Sequence, residues 1–208
     1  MATGRARRSL RSLSRPPLNA SIVGLTVVTI RVAQERDANS IASAEWTTAA
    51  TAGLLVQRPG EIPVTAFAAK IAELGALGSY LVAEEESRIV GHAFLEPMRM
   101  TGNSHVFTLN IVVHPGHTER GVGTALLTHL LAWARERRGL RKVELLVRAT
   151  NARAISLYRR HGFVEEGRFR DRVATPVGEF IDDIAMAWFS DGGAAQPAVA
   201  ADSASRRR

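Results

Sequence analysis

A strand, a glycine-containing loop and a helix follow one another in the middle of the chain. The apolar run VFTLNIVV (106–113) precedes the loop HPGHTERGVGT (114–124), and a run of good helix formers comes next. Gly121 and Gly123 allow the backbone of such a loop to approach a ligand closely, and the amino end of the following helix attracts anions. This order predicts a phosphate-binding loop in a fold that mixes helices and strands.

The spacing of the glycines separates three kinds of phosphate-binding loop. A Walker A loop needs Lys directly after its second glycine, and here Val122 follows Gly121. A dinucleotide-binding loop needs a third glycine where this chain has Leu126. Both are therefore excluded. A lysine-free pyrophosphate cradle remains, in which backbone N–H groups of residues 118–123 point at the ligand.

Hydrophobic periodicity and turn signals predict the order strand, two helices, three strands, helix, strand, helix and two strands. The predicted bounds are 25–33, 37–53, 62–78, a hairpin over 79–98, 104–115, 120–139, 142–149, 151–162 and two closing strands within 163–189. A meander followed by a β-loop-α-β-α unit predicts an α/β (α+β) fold. Its central sheet is mixed, mostly antiparallel, and flanked by helices.

The net charge of +7 belongs mainly to the ends of the chain. Residues 1–24 hold five arginines and no acidic residue, which leaves residues 25–189 nearly neutral. We predict a disordered basic tail over 1–24, one domain over 25–189 and a disordered tail over 190–208. Nucleic-acid binding usually shows as a basic stripe on a folded face, so we predict no specific nucleic-acid partner.

The chain has no cysteine, which excludes disulfides, thiolate metal sites and a cysteine nucleophile. The six histidines have no metal-ligand spacing, so we predict no metal. No segment approaches the ~20 apolar residues that span a bilayer, so we predict no membrane partner. The start of the chain imitates a signal or transit peptide, but GLTVVTIRVA (24–33) has the β-branched character of a strand. We therefore predict a cytoplasmic protein.

VVHPGHTERGVGTALL (112–127) resembles the acetyl-CoA loop of the GNAT superfamily of N-acetyltransferases. The residues in register with the family pattern are Val113, Pro115, Gly121 and Gly123. Thr118 stands where the family usually has Gln or Arg, a position that contributes chiefly its main-chain N–H. Arg120, two residues further on, is a candidate to meet a phosphate as a point charge or fork.

ELLVRATNARAISLYRRHGFVEEG (144–167) resembles the second signature of the same family. The matching residues are Asn151, Ala154, Tyr158, Gly162 and Phe163. The two motifs stand at the family's separation, and the predicted order of elements matches the GNAT fold. The resemblance covers about residues 25–189 and predicts a GNAT acetyltransferase domain there.

The resemblance implies acetyl transfer from acetyl-CoA to a primary amine by direct attack in a ternary complex. It implies that the hydroxyl of Tyr158 gives a proton to the departing CoA thiolate. Residues 109–111 would lie near the thioester, where the family often has a strand bulge. The residues that would bind the cosubstrate are Ile111, Val112, Val113, Thr118, Glu119, Arg120, Gly121, Val122, Gly123, Thr124, Asn151, Ala154 and Tyr158. Asn151 is also predicted to cap the helix that follows it.

The general base is less clearly marked. The central strand offers Asn110, which cannot take a proton from an amine, while His105 and His114 lie at its ends. Glu96 closes the preceding strand and is the first candidate for a catalytic base. His92 is interpreted as structural.

The most probable acceptor is a small amine or amino acid. The ending GEFIDD…MAWF is similar to that of bacterial enzymes that acetylate such amines, and Asp182 and Asp183 either line an amine pocket or alternate on a half-exposed edge strand. Two alternatives stay open: acetylation of protein N-termini or lysines, and a non-catalytic acyl-CoA-binding regulatory domain. A homodimer is also left open.

Overall fold

The computed structural model describes residues 20–23, 26–51, 55 and 57–191. The strands are β1 Ala20–Val23, β2 Thr26–Val32, β3 Ser79–Glu85, β4 Arg88–Pro97, β5 Val106–Val113, β6 Lys142–Arg148, β7 Val164–Ala174 and β8 Phe180–Phe189. The α-helices are α1 Ala38–Ala49, α2 Val64–Leu77, α3 Val122–Glu136 and α4 Ala152–Arg160. From β2 onward, the order of these elements is the one predicted from the sequence.

All the strands belong to one sheet with the order β1-β2-β3-β4-β5-β6-β8-β7. Every neighbouring pair is antiparallel except β5 and β6, which are parallel. Parallel neighbours need a crossover connection, and α3 supplies it. The predicted mixed, mostly antiparallel sheet with flanking helices is therefore confirmed.

The sheet opens between β5 and β6. These strands pair from Val106–Lys142 to Thr108–Glu144, and the described pairing ends there. β5 nevertheless stays paired with β4 as far as Val113, without a register shift, so the bulge expected near residues 109–111 is absent. β6 stays paired with β8 as far as Arg148. Beyond Thr108, the edge of β5 that faces β6 therefore has backbone groups with no strand partner.

Helix α3 covers one face of the sheet and fixes the loop before it. Its buried residues recur at helical spacing and are Val122, Ala125, Leu126, Leu127, Leu130, Leu131 and Ala134. They belong to the larger core cluster, together with Leu95 of β4 and Leu109 of β5. Full burial of one leucine stabilises the fold by roughly 1.5–3 kcal/mol, so this interface holds α3 firmly in place.

Helices α1 and α2 cover the opposite face. Successive residues of a strand point to opposite faces, and in β3 Tyr80 and Val82 pack in the cluster with α1 and α2. Leu81 and Ala83 pack instead in the cluster with α3. Among the described helices, none is long and apolar enough to cross a membrane.

Two boundaries differ from the prediction. Ala20–Val23 pair with β2 as strand β1, although they lie within residues 1–24, which were predicted to be disordered. A strand next to β2 satisfies backbone groups that would otherwise form a bare sheet edge. Helix α1 ends at Ala49 rather than near Gly53, which lies outside the described residues. The predicted disorder of residues 1–19 and 192–208 also falls outside them.

Candidate active site

A cavity of about 490 Å³ lies where β5 and β6 separate. The predicted cosubstrate-binding residues that line it are Ile111, Val112, Val113, Thr118, Glu119, Gly121, Gly123, Thr124, Asn151, Ala154 and Tyr158. Two distant motifs of the sequence thus meet around one space. Arg120 and Val122 are not part of the lining, and neither is Glu96.

A row of backbone N–H groups at one end of the cavity has no backbone acceptor among the described residues. The first N–H of α3 to reach a backbone carbonyl is that of Ala125, which donates to Gly121 O at 2.9 Å. The preceding groups without such a bond are those of Thr118, Glu119, Gly121, Val122, Gly123 and Thr124. Free N–H groups at a helix amino end bind anions, and the helix dipole adds attraction. This end of the cavity therefore suits a phosphate group.

The loop reaches this shape through two left-handed residues. Glu119 has φ 63° and Gly121 has φ 80°, and alternation of right- and left-handed residues turns successive N–H groups toward one side. Gly121 is the residue that caps α3. A Cβ on Gly123 would lie 3.3 Å from Leu157 Cδ2, so any other residue would require the Leu157 side chain to shift. Glu119 also forms a 2.8 Å ion pair with Arg153 of α4.

The side chain of Arg120 does not take the role expected of it. Its Nη2 lies 2.5 Å from Glu85 Oε1, and its Nη1 lies 3.2 Å from His117 Nδ1. Glu85 is the last residue of β3 and is buried. The guanidinium therefore ties the loop to the sheet and is absent from the cavity wall, so the side-chain contact with a phosphate is not supported. The buried side chain of Val122 packs in the core, which leaves only its N–H for a ligand.

Tyr158 is a buried proton donor at the cavity. Its side chain lines the cavity and packs against Phe163, with 5.6 Å between ring centroids. Burial raises the pKa of the Tyr158 hydroxyl well above its usual value, so the group stays protonated at neutral pH. No hydrogen bond to this hydroxyl occurs within the described residues. A proton on this oxygen is thus available to a ligand.

Asn151 has the predicted capping role. Its Oδ1 accepts a hydrogen bond from Ala154 N at 3.1 Å, at the start of α4. The cap sets the direction of α4, whose residues Ala154, Leu157 and Tyr158 face the cavity. Asn151 also lines the cavity itself, so the cap and a ligand contact are compatible.

The prediction missed five lining residues. Arg153, Leu157 and Arg160 belong to α4, and of these Leu157, three residues after Ala154, would have been identified by helical periodicity. Thr48 of α1 and Leu55 also line the cavity. They stand in no motif, and only the tertiary fold brings them to the β5 side of the opening.

Glu96 lies away from this cavity. Its Oε1 is 2.6 Å from Lys70 Nζ of α2 and 3.7 Å from Arg99 Nη2. Glu96 is thus paired with one cation of α2 and one of the segment after β4. The structure therefore does not bring the predicted base together with Tyr158. Within the described residues, no group of three His, Asp or Glu side chains is placed to hold a metal.

Asp182 and Asp183 are also outside the cavity. Asp183 is buried and forms an ion pair with Arg148 of β6. Asp182 accepts a hydrogen bond from Asp171 N at 2.9 Å and one from Arg168 Nε at 2.7 Å, and these hold the pKa of its carboxyl below the usual value. The edge-strand description of the pair was wrong, because β8 lies between β6 and β7 rather than at the edge. The amine-pocket role stays a prediction.

The site combines a parallel strand pair that separates, a row of loop N–H groups and a buried tyrosine. This combination is typical of an acyl-coenzyme A-binding site. The model of the acetyltransferase (GNAT) family matches residues 44–163, which is more than half of the chain. The chain therefore belongs to the GNAT family, which confirms the resemblance. It also confirms the prediction of an acyltransferase at the level of the family.

Two curated proteins of Escherichia coli strain K12 are similar to parts of the chain. L-amino acid N-acetyltransferase AaaT is 32% identical over 107 residues, which are 51% of this chain and 65% of that protein. The alanine N-acetyltransferase of ribosomal protein bS18 is 44% identical over 69 residues, which are 33% of this chain and 46% of that protein. The chain thus spans about two thirds or less of the length of these relatives.

Solved structures share the fold over most of the chain. A ribosomal-protein-alanine N-acetyltransferase from Brucella melitensis has a TM-score of 0.69 and 26% identity, and covers 77% of this chain and 98% of its own. YncA from Salmonella typhimurium, a putative acetyltransferase solved with its cofactor acetyl-CoA, has a TM-score of 0.72 and 24% identity. That match covers 82% of this chain and 98% of that one.

Proposed function

We propose that this chain transfers the acetyl group of acetyl-CoA to a primary amine of a small molecule or amino acid. The amine attacks acetyl-CoA directly in a ternary complex, and the reaction takes place in the cytoplasm. The observation that carries it is the single cavity that joins an opened sheet, a row of free loop N–H groups and the hydroxyl of Tyr158.

The lining of the cavity fits acetyl-CoA from end to end. The N–H row at 118–124 suits the pyrophosphate. The unpaired edge of β5 at residues 109–113 suits the amides of pantetheine, which would add to the sheet like a short strand. Tyr158 stands beyond them with a proton to give. When bound, acetyl-CoA supplies an activated acyl group and a thiolate leaving group.

Tyr158 is assigned the protonation of the leaving thiolate. A buried phenol that stays neutral at pH 7 does not repel a departing anion, and it donates its proton only as negative charge develops on sulfur. Phe163 packs against the Tyr158 ring, and apolar Leu157 also lines the cavity. The wall of the cavity thus contributes both the proton and apolar surroundings.

Two acceptor classes are supported by the relatives. AaaT acts on L-amino acids, and the bS18 enzyme acts on a protein alanine, as their names state. We place small amines and amino acids first because the chain matches AaaT over the longer stretch. The specific observation in favour of a protein acceptor is the higher identity to the bS18 enzyme, 44% over 69 residues.

Binding of acetyl-CoA is tested by thermal unfolding. A ligand present at 100 times its Kd stabilises the native state by about 2.7 kcal/mol, so millimolar acetyl-CoA should raise Tm by several degrees. Pantetheine and ADP, added separately, should each give a smaller rise, because each fills one end of the cavity. An unchanged Tm with acetyl-CoA would remove the cosubstrate from the proposal.

Transfer is tested by release of CoA thiol with a panel of acceptors, and by mass spectrometry of the product. The panel holds free amino acids, their amides, polyamines and peptides that begin with alanine. Product from free amino acids supports the first acceptor class, and product from the peptides alone supports the second. Tight acetyl-CoA binding with no product from any amine would favour the non-catalytic acyl-CoA-binding alternative.

A further inference from the structure

A chain of polar side chains is buried between α1 and the sheet, next to the cavity. His92 of β4 is fully buried, and its Nδ1 lies 3.1 Å from Tyr80 Oη of β3. Its Nε2 lies 3.2 Å from Glu45 Oε1 of α1, although the ring N–H is not aligned with that oxygen. The amide of Gln57 donates to the other oxygen, Glu45 Oε2. None of these four side chains was assigned a catalytic or binding role from the sequence, and His92 was interpreted as structural.

The hydrogen-bond chain fixes the contacts of the His92 ring. Burial and the charge of Glu45 raise the pKa of Tyr80 far above its usual value, so its O–H persists, and this hydroxyl is in hydrogen-bond contact with His92 Nδ1. When Tyr80 donates to Nδ1, the ring proton of His92 is on Nε2 and lies toward Glu45. In that tautomer both carboxylate oxygens of Glu45 lie near N–H groups. His114 is the remaining titratable neighbour, with its ring centroid 5.5 Å from that of His92.

Glu45 is a buried carboxylate without a cation. It is 4% exposed, and within the described residues no Lys or Arg side chain pairs with it. Burial of an unneutralised carboxylate costs free energy because the charge loses its hydration. A cation that reaches the carboxylate offsets much of that free-energy cost. The other buried carboxylates near the loop and β8 have such a cation, since Glu85 pairs with Arg120 and Asp183 with Arg148.

Glu45 itself does not line the cavity, but residues next to it in the sequence and in the sheet do. Thr48 follows Glu45 by one turn of α1 and lines the cavity. His92 stands opposite Val112 in the β4–β5 register, so their side chains share one face of the sheet, and Val112 lines the cavity. Gln57 follows closely after Leu55, another lining residue. The side-chain amide of Gln57 donates an N–H group to Oε2. The ammonium group of a substrate would take the place of this donor.

We propose that Glu45 receives the ammonium group of the acceptor and takes one proton from it before the amine attacks, with His92 and Tyr80 as positioning residues. This inference rests on the proposed acetyl transfer and names its acceptor as a cationic primary amine. It assigns the base that the sequence placed at Glu96.

The protons balance as follows. The ammonium group gives one proton to Glu45 and becomes a neutral amine, whose lone pair forms the C–N bond to the thioester carbonyl carbon. The C–S bond breaks, and the thiolate takes the proton of Tyr158. The nitrogen loses its second proton, which restores the Tyr158 hydroxyl. The proton on Glu45 returns to solvent when the amide leaves, so the net products are amide, CoA thiol and one proton.

The test compares wild type, Glu45→Gln and Glu61→Gln with L-alaninamide as acceptor. Glu61 lies in the connection between α1 and α2 and is exposed, so it controls for the loss of a carboxylate. We expect Glu45→Gln to lower kcat/KM at least about 100-fold and to flatten its rise with pH. The Kd for acetyl-CoA should stay within about twofold by calorimetry, and Glu61→Gln should match wild type. A Glu45→Gln enzyme within about threefold of wild type at every pH would overturn the assignment.

Two further measurements keep the outcome clear. If Glu45→Gln does not fold, Glu45→Asp is used instead because it retains the charge. We expect Glu45→Asp to have a lower kcat than wild type and the same pH dependence. An unchanged kcat in Glu45→Asp would count against the proposal. Isobutyramide carries a methyl group in place of the ammonium of alaninamide. In the CoA complex, wild type should bind alaninamide more tightly than isobutyramide, and Glu45→Gln should lose this preference. Absence of product from wild type contradicts the proposed function, whereas an equal preference in both proteins contradicts only the role of Glu45.

Discussion

Arg120 Nη2 lies 2.5 Å from Glu85 Oε1, which joins the phosphate-binding loop to the end of β3. The two residues are 35 positions apart in the sequence. Glu85 is buried, and the guanidinium neutralises it while the backbone of the same loop residue stays beside the cavity. The side chain of Arg120 thus holds the loop that carries the N–H row against the end of β3.

Arg120→Ala and Glu85→Gln should therefore weaken acetyl-CoA binding to a similar extent, by about tenfold each. The double variant should be no weaker than either single variant, because both remove the same ion pair. Calorimetric Kd values for the four proteins measure this coupling. If Arg120 contacted a phosphate directly, Glu85→Gln would bind acetyl-CoA like wild type while Arg120→Ala would not.

Tyr158→Phe should lower kcat by about 100-fold with little change in the Kd for acetyl-CoA. The substitution removes only the hydroxyl, and the ring can keep its packing against Phe163. Because the hydroxyl has no hydrogen-bond partner within the described residues, Tm should change little. Rates of CoA thiol release and thermal unfolding measure the two effects. Unchanged turnover would remove Tyr158 from the chemistry.

The features that could be predicted from sequence are local ones. The loop, its two glycines and the Asn151 cap each depend on residues within about ten positions of one another, so the sequence specifies them directly. The opening between β5 and β6 was not predicted, because it depends on the pairing of two strands that α3 separates in the sequence. The order of elements along the chain was predicted correctly from β2 onward.

The features that could not be predicted depend on contacts across the fold. Sequence order suggested that β8 forms an edge, but the chain passes outward to β7 and returns, so β8 lies inside the sheet. Asp183 is consequently buried against Arg148. Glu96 was chosen for its place at a strand end, and nothing in the local sequence indicated that Lys70 of α2 would neutralise it.

Gly121→Ala should cost stability and binding together. Its φ of 80° strains any residue with a Cβ by roughly 1–2 kcal/mol, and relief of that strain would rotate the N–H row. Gly139 has φ 86° and open space where a Cβ would lie. Gly139→Ala therefore introduces the same backbone strain as Gly121→Ala, outside the phosphate-binding loop. Both variants should lose similar stability in urea, whereas only Gly121→Ala should bind acetyl-CoA more weakly. Equal Kd values would show that the loop conformation is unimportant for binding.

His114 should make stability fall in mild acid. Burial lowers the pKa of its imidazole to about 4, below the ordinary value of 6.5, because the charged ring would lose its hydration; the hydrogen bond between Nδ1 and Ile89 O at 3.0 Å opposes this shift. The unfolded chain binds the proton more readily. This contribution is therefore complete above pH 6.5 and decreases as the pH falls toward 4, by about 3 kcal/mol at most.

Urea unfolding of wild type and His114→Asn between pH 7 and pH 4 measures this dependence. Asparagine retains an N–H donor for Ile89 O but does not titrate, so the variant should lose less stability over this range. His105→Asn, at an exposed position, should follow wild type. If His114→Asn and wild type lost stability in parallel, the acid sensitivity would belong to other groups.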